Sequence, residues 1–193
     1  MKTLVAIMLA VIFSGCATTP KPQLSRDEQL QISSRVYENK SKEEVLAAAE
    51  KLFKLSDGDD YKFFHSESGF YATRNWSVYL VLAAARGTDY WTLTTNQTKE
   101  GTSATIQLNT QTQTITPTGT TDGAWTASSS TMPGQPIEGT AIYDIFWSRL
   151  DYLLGKNKEW MSCKTSDKKV KDKIVWGSNE ALCNSFNVLD LNP

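Results

Sequence analysis

The chain has one histidine, His65, and only three cysteines in 193 residues. No Gly-x-Ser-x-Gly or other nucleophile motif accompanies that histidine, so nothing places a base beside an activated hydroxyl. No glycine-rich phosphate loop occurs. Charge of either sign is not in excess, with 20 Lys and Arg against 21 Asp and Glu. That balance excludes the concentrated basic face that nucleic-acid binding needs. No apolar run reaches the 18 or so residues of a membrane-spanning helix. The composition therefore argues against an enzyme, a nucleic-acid binder and an integral helical membrane protein. Aromatic residues are plentiful, with six Trp, seven Tyr and seven Phe. One domain with a real core is expected.

The most informative segment is the first, MKTLVAIMLAVIFSGC. Lys2 precedes an unbroken apolar run, Leu4 to Phe13, and small Ser14 and Gly15 lead into Cys16. That is the layout of a secretory signal. The Phe-Ser-Gly-Cys ending resembles the bacterial lipobox, with Phe13 where leucine is usual. The resemblance implies cleavage after residue 15 and triple acylation of Cys16, which holds the protein on a membrane without a spanning helix. Ala17, where aspartate would signal inner-membrane retention, implies the outer membrane. Residues 16–28 then read as the lipidated cysteine and a flexible tether. Its stretch ATTPKPQLSRD extends roughly 35 Å at most. Loss of Lys2 leaves 19 positive residues against 21 negative.

With Cys16 acylated, Cys163 and Cys183 remain, and in an oxidising envelope a pair reads as a disulfide. Two thiols and one imidazole do not complete a tetrahedral metal site, so no metal or cofactor is expected.

Periodicity gives the rest. Gln29–Glu38 places Leu30, Ile32 and Val36 at even spacing and reads as a first strand. Ser41 and Glu44 form a capping box before a helix with Val45, Ala48, Ala49 and Leu52 on one face, ended by Ser56-Asp57-Gly58. The acidic loop from Asp57 to Asp60 departs from a calcium-binding order and reads as a turn. Two strands, 61–65 and 70–75, join through a turn that holds His65 and Ser66. The run 76–85, WSVYLVLAAA, reads as a central strand ended by a turn at 86–89. Strands at 90–96 and 103–110 follow. Threonines at every second position from Thr110 to Thr120 read as a solvated edge strand weakened by Pro117. Residues 118–138 read as a long loop. A second helix spans about 139–154, with only Arg149 breaking its apolar stripe. Residues 156–193 read as an irregular, disulfide-held appendage.

The expected fold is α+β: one antiparallel sheet packed by two helices over residues 29–155. The segments EQLQISSRVYENKSKEEVLAAAEKLF, YKFFHSESGFYATRN and PIEGTAIYDIFWSRLDYLL resemble a group of proteobacterial lipoproteins. The matching residues are Arg35, Tyr37, Glu38, Gly69, Tyr143, Phe146, Trp147 and Leu150. The sheet and late helix also resemble the helix-grip domains of BamC, an accessory lipoprotein of outer-membrane β-barrel assembly. These likenesses imply a fold more than a function.

The functional expectation is a non-enzymatic, lipid-anchored envelope protein that docks onto a periplasmic or outer-membrane protein or assembly. Its candidate contacts are Trp125 in the threonine-rich segment and Lys168, Lys169, Lys171 and Lys173, part of a lysine-rich stretch from 156 to 173. The alternatives are a blocker of a foreign enzyme, or a small-ligand or glycan binder. A ligand pocket would lie between sheet and second helix, lined by Trp76, Tyr79, Trp91, Phe146 and Trp147.

Overall fold

The computed structural model describes residues 22–57, 60–80, 83–119 and 125–183. The elements are α1 (Arg26–Ser33), β1 (Ser34–Glu38), α2 (Lys42–Asp57), β2 (Tyr61–Ser66), β3 (Gly69–Leu80), β4 (Ala83–Gln97), β5 (Gly101–Gly119), β6 (Trp125–Pro136), α3 (Ala141–Leu153) and α4 (Cys163–Lys171). The fold is α+β with one antiparallel sheet, as expected, but six strands and four helices build it among the described residues.

The strand order is β1-β5-β4-β3-β2, and β6 also pairs with β5. At 19 residues β5 is long enough to serve two neighbours along one side. Its start pairs with β1, Ser34 opposite Thr105, and its end pairs with β6, Gly119 opposite Trp125.

Side-chain alternation divides the sheet into two faces. On one, Phe70, Ala72, Trp91, Leu93, Ala104, Ile106 and Leu108 are buried. Against them pack Val45, Ala49, Leu52 and Phe53 of α2 and Ile142, Ile145, Phe146 and Leu150 of α3. Phe53 stands at the centre, with Tyr61, Phe63, Phe70, Trp91 and Phe146 ring centroids 4.9–6.2 Å away. The opposite face carries no helix among the described residues.

Several boundaries differ from the sequence expectation. Residues 26–33 are helical rather than tether or strand, because Ser25 and Glu28 close a capping box at the start of α1. Residues 76–85 do not form one strand. They divide between the end of β3 and the start of β4, which pair through Leu80 and Ala83. Arg86 to Asp89, expected as a turn, lie inside β4. The threonine-rich stretch is not an edge: β5 is flanked by β4 as far as Ile115 and by β6 as far as Gly119. The expected loop 118–138 contains β6, whose prolines at 133 and 136 fall on an outer strand, where the missing N–H is tolerated. Thr120, Gly58 and Asp59 lie outside the described residues.

Over residues 156–183 the C-terminal segment is more regular than an irregular appendage. Ser162 caps α4 by accepting from the Thr165 N–H at 3.1 Å. Trp160, Ala181, Leu182 and Cys183 join the core. The expected disulfide is present, Cys163–Cys183 with Cα atoms 5.5 Å apart. Beside it Arg149 is 1% exposed. Its guanidinium donates to Met161 O and Ser56 Oγ, both at 2.9 Å, and to Leu182 O at 3.1 Å. The Trp160 ring lies 4.6 Å from its Cζ. The one residue that broke the apolar stripe thus ties α2, α3 and the tail together.

Candidate functional site

The helices cover only part of the sheet. Beyond Arg74, Asp89 and Thr110 the strands continue as a distal arm, formed by residues 75–80, 83–88, 111–119 and 125–136. None of its described side chains is buried. The boundary is a polar knot. Arg74 Nη2 donates to Asp89 Oδ2 at 2.7 Å, and both residues are at least 95% buried. Asp89 Oδ1 accepts from Trp76 Nε1 at 3.2 Å and from Thr110 Oγ1 at 2.9 Å. A buried ion pair that keeps its remaining lone pairs occupied fixes the strands in register.

On its helix-free face the arm carries an open groove of about 450 Å³. Asn75 and Ser77 come from β3, Arg86 and Thr88 from β4, Gln111 and Gln113 from β5 and Thr131 from β6, with Trp76 and Gly87 completing the lining. The register places Asn75 opposite Thr88, Ser77 opposite Arg86 and Gln113 opposite Thr131, so these polar side chains share one face. They bond to one another: Thr88 Oγ1 donates to Asn75 Oδ1 at 2.8 Å and Arg86 Nε to Gln113 Oε1 at 2.5 Å. Gly87 is required by close approach. A Cβ there would lie 2.4 Å from the Trp76 ring and from Gln111 O.

An aromatic strip adjoins the groove on the same face. Phe64 and Tyr71 ring centroids lie 6.0 Å apart, Tyr71 and Tyr90 stack at 6.0 Å, and Tyr90 OH donates to Gln111 Oε1 at 3.1 Å. Phe64 is 58% exposed. Partial desolvation and the neighbouring Tyr90 push the Tyr71 phenol up.

No protein-family model, curated protein or solved structure matches this chain. Its function must be read from its own geometry.

Among the expected site residues, Cys16 lies outside the described residues. Trp125 opens β6 opposite Gly119, at the far end of the arm. The lysines sit elsewhere. Lys168, Lys169 and Lys171 occupy the last turn of α4, and Lys173 follows with φ of 58°. Lys169 grips Asp144 of α3 at 2.8 Å, and Lys168 approaches Asp172 at 3.5 Å. Trp125 lies eleven strand residues from Pro136, roughly 35 Å at about 3.3 Å per residue, so it and the lysines do not form one surface. The pocket expected between sheet and second helix is filled: Trp91, Phe146 and Trp147 are core residues. Trp76 lines the groove on the arm instead, and Tyr79 is 84% exposed.

His65 lies in β2 and contacts Glu50 at 2.9 Å. Lys54 and then His65 hold the Glu50 carboxyl below its usual value. This is a surface pairing between helix and strand. No cluster of three His, Cys, Asp or Glu exists among the described residues.

Three of the residues that carry the lipoprotein resemblance, Arg35, Tyr37 and Trp147, meet in space. Arg35 pairs with Asp151 and lies over the Trp147 ring, and Tyr37 OH donates to Asp151 Oδ1 at 3.1 Å. Burial and the Asp151 carboxylate push the Tyr37 phenol well above its usual value. Strand β1 is thereby locked onto α3. The cluster holds the fold together, since Asp151 accepts from both Arg35 and Tyr37. The sequence reading missed the groove, whose signal was the polar residue at every second position on three consecutive strands.

Proposed function

We propose that this protein is a lipid-anchored, non-enzymatic component of the bacterial envelope, held at the outer membrane through acylated Cys16. It docks onto a periplasmic or outer-membrane protein by adding a strand to its distal arm. One observation carries this reading: the open edge of β6. From Trp125 to Met132 the edge is eight residues long with neither charge nor proline, and only β5 pairs with it among the described residues. Most sheet proteins blunt such edges with lysine, proline or a bulge. Here the prolines come only at 133 and 136. An edge left open over eight residues suits strand addition by an extended partner segment. The lysine-rich helix, two of whose lysines face aspartates, is the lesser surface.

The test is a photo-crosslinking residue in the full lipidated chain, placed at Ser130 on β6 or at Glu100 in the β4–β5 turn, in intact cells. A discrete protein adduct from position 130 and none from 100 is the expected result. Adducts with phospholipid or lipopolysaccharide alone contradict docking.

A further inference from the structure

The groove on the helix-free face has a chemistry distinct from the β6 edge. Along it β4 pairs with both β3 and β5, and β5 pairs with both β4 and β6, while Asn75–Ser77 of β3 pair with β4 alone, their remaining backbone groups lying at the sheet's edge and not on the groove face. A strand adds at the edge of a sheet and not on its face, so recognition within the groove falls to side chains. Those side chains are amides and hydroxyls, which both donate and accept. The only charge in the lining is Arg86. It is exposed, its Nε is held by Gln113, and its terminal nitrogens contact no carboxylate among the described residues. The lining contains no acidic residue. A volume of about 450 Å³ is in the range of ligand sites, roughly 300–1,000 Å³.

Tyr90 joins the groove to the exposed rings of Tyr71 and Phe64, on strands β4, β3 and β2 in turn. From β2 to β5 the platform spans three strand spacings, about 14 Å. Along the strands it runs from the aromatic floor at Tyr71 and Tyr90, through the amides of Asn75 and Gln111 beside Thr88, to the cationic fork of Arg86, about 13 Å from Tyr90 on β4. A flat apolar ring face, several hydroxyls and a carboxylate, repeated over that length, describe a sugar chain bearing acid groups. We propose that this face binds a short acidic oligosaccharide of the uronic-acid type, its carboxylate on Arg86, its hydroxyls on Asn75, Gln111 and Gln113, and a sugar ring stacked on Tyr71 and Tyr90.

The test is isothermal titration of the detergent-solubilised, full-length acylated protein with trigalacturonic acid and, separately, with uncharged galactotriose. Saturable binding of the acidic trisaccharide, at least tenfold tighter than the neutral one, is expected. Arg86→Gln should abolish that preference, and Tyr71→Ala should weaken both sugars, with each variant's thermal midpoint checked against the parent. Equal affinity for the two sugars, an unaltered preference in Arg86→Gln, or no binding of either sugar overturns the proposal. Strand docking on β6 is read separately by the crosslink at position 130, so either proposal can fail alone.

Discussion

Arg149→Met tests how the C-terminal segment is held. Methionine preserves most of the buried stem volume, so the change isolates the guanidinium. Burying a cation costs several kcal/mol, and replacing such groups by apolar ones is sometimes neutral or stabilising. The outcome turns on what is left behind. The buried carbonyl of Leu182 and the half-buried carbonyl of Met161 lose a donor, and Ser56 Oγ loses its partner. Each buried carbonyl without a donor costs about 1–3 kcal/mol. The serine hydroxyl can turn to another acceptor, and loss of the Trp160 contact adds a further fraction of a kcal/mol. Removing the guanidinium should therefore destabilise by about 3–5 kcal/mol. For a domain of this size that lowers the thermal midpoint by about 10 °C. Circular dichroism melts of parent and variant, with the disulfide intact, measure it. Arg149→Lys, which keeps the charge but loses the planar fork, should fall between them. A midpoint within 2 °C of the parent (roughly half a kcal/mol by the same scaling) would refute the argument that this arginine staples the tail.

Other expectations follow the same logic. Replacing both Cys163 and Cys183 by serine opens a loop with 20 residues of sequence separation and should cost roughly 3 kcal/mol, read as a lower urea midpoint. Gly69→Ala would place a Cβ 1.9 Å from Leu93 O, and should destabilise by about 1–3 kcal/mol or open the β3–β4 register, visible in amide exchange. Glu28, Glu44 and Glu50 all have carboxyls held below 4.5, by Ser25, by Ser41 and Lys40, and by Lys54 and His65 respectively. The unfolded chain then binds more protons near pH 4, so stability present above about pH 4.5 should fall as acid is added. A melting temperature flat from pH 6 to pH 3 would contradict those pairings.

How much of this was legible from sequence depends on the element. The helix at 42–57 and the one at 141–153 announced themselves through a capping box and an apolar stripe, both local signals. The disulfide was expected from the pair of cysteines that remains once Cys16 is assigned to a lipobox. What failed was the distal arm. Trp76 to Ala85 reads as one strand because all its residues but Ser77 are apolar, yet Leu80 pairs antiparallel with Ala83, and no Gly, Pro or Asn in the run marks a turn. Residues 125–136, rich in Ser, Thr and Pro, look like loop, and only pairing with β5 makes them a strand. β-propensity is largely a property of neighbours, and neighbours are not visible in one strand's sequence. Arg149 misleads for a related reason: its acceptors come from residues 56, 161 and 182, which sequence alone does not bring together. The groove escaped notice because its side chains are distributed over four strands, with no cluster in the chain.

The claim on which location and function both rest is the fate of the first sixteen residues. Intact-mass and peptide spectrometry of the protein purified from its native membrane measures it directly. The account predicts a chain that begins at Cys16 with acyl groups on its amine and its sulfur. A product retaining Met1, or carrying a bare thiol at Cys16, would contradict it.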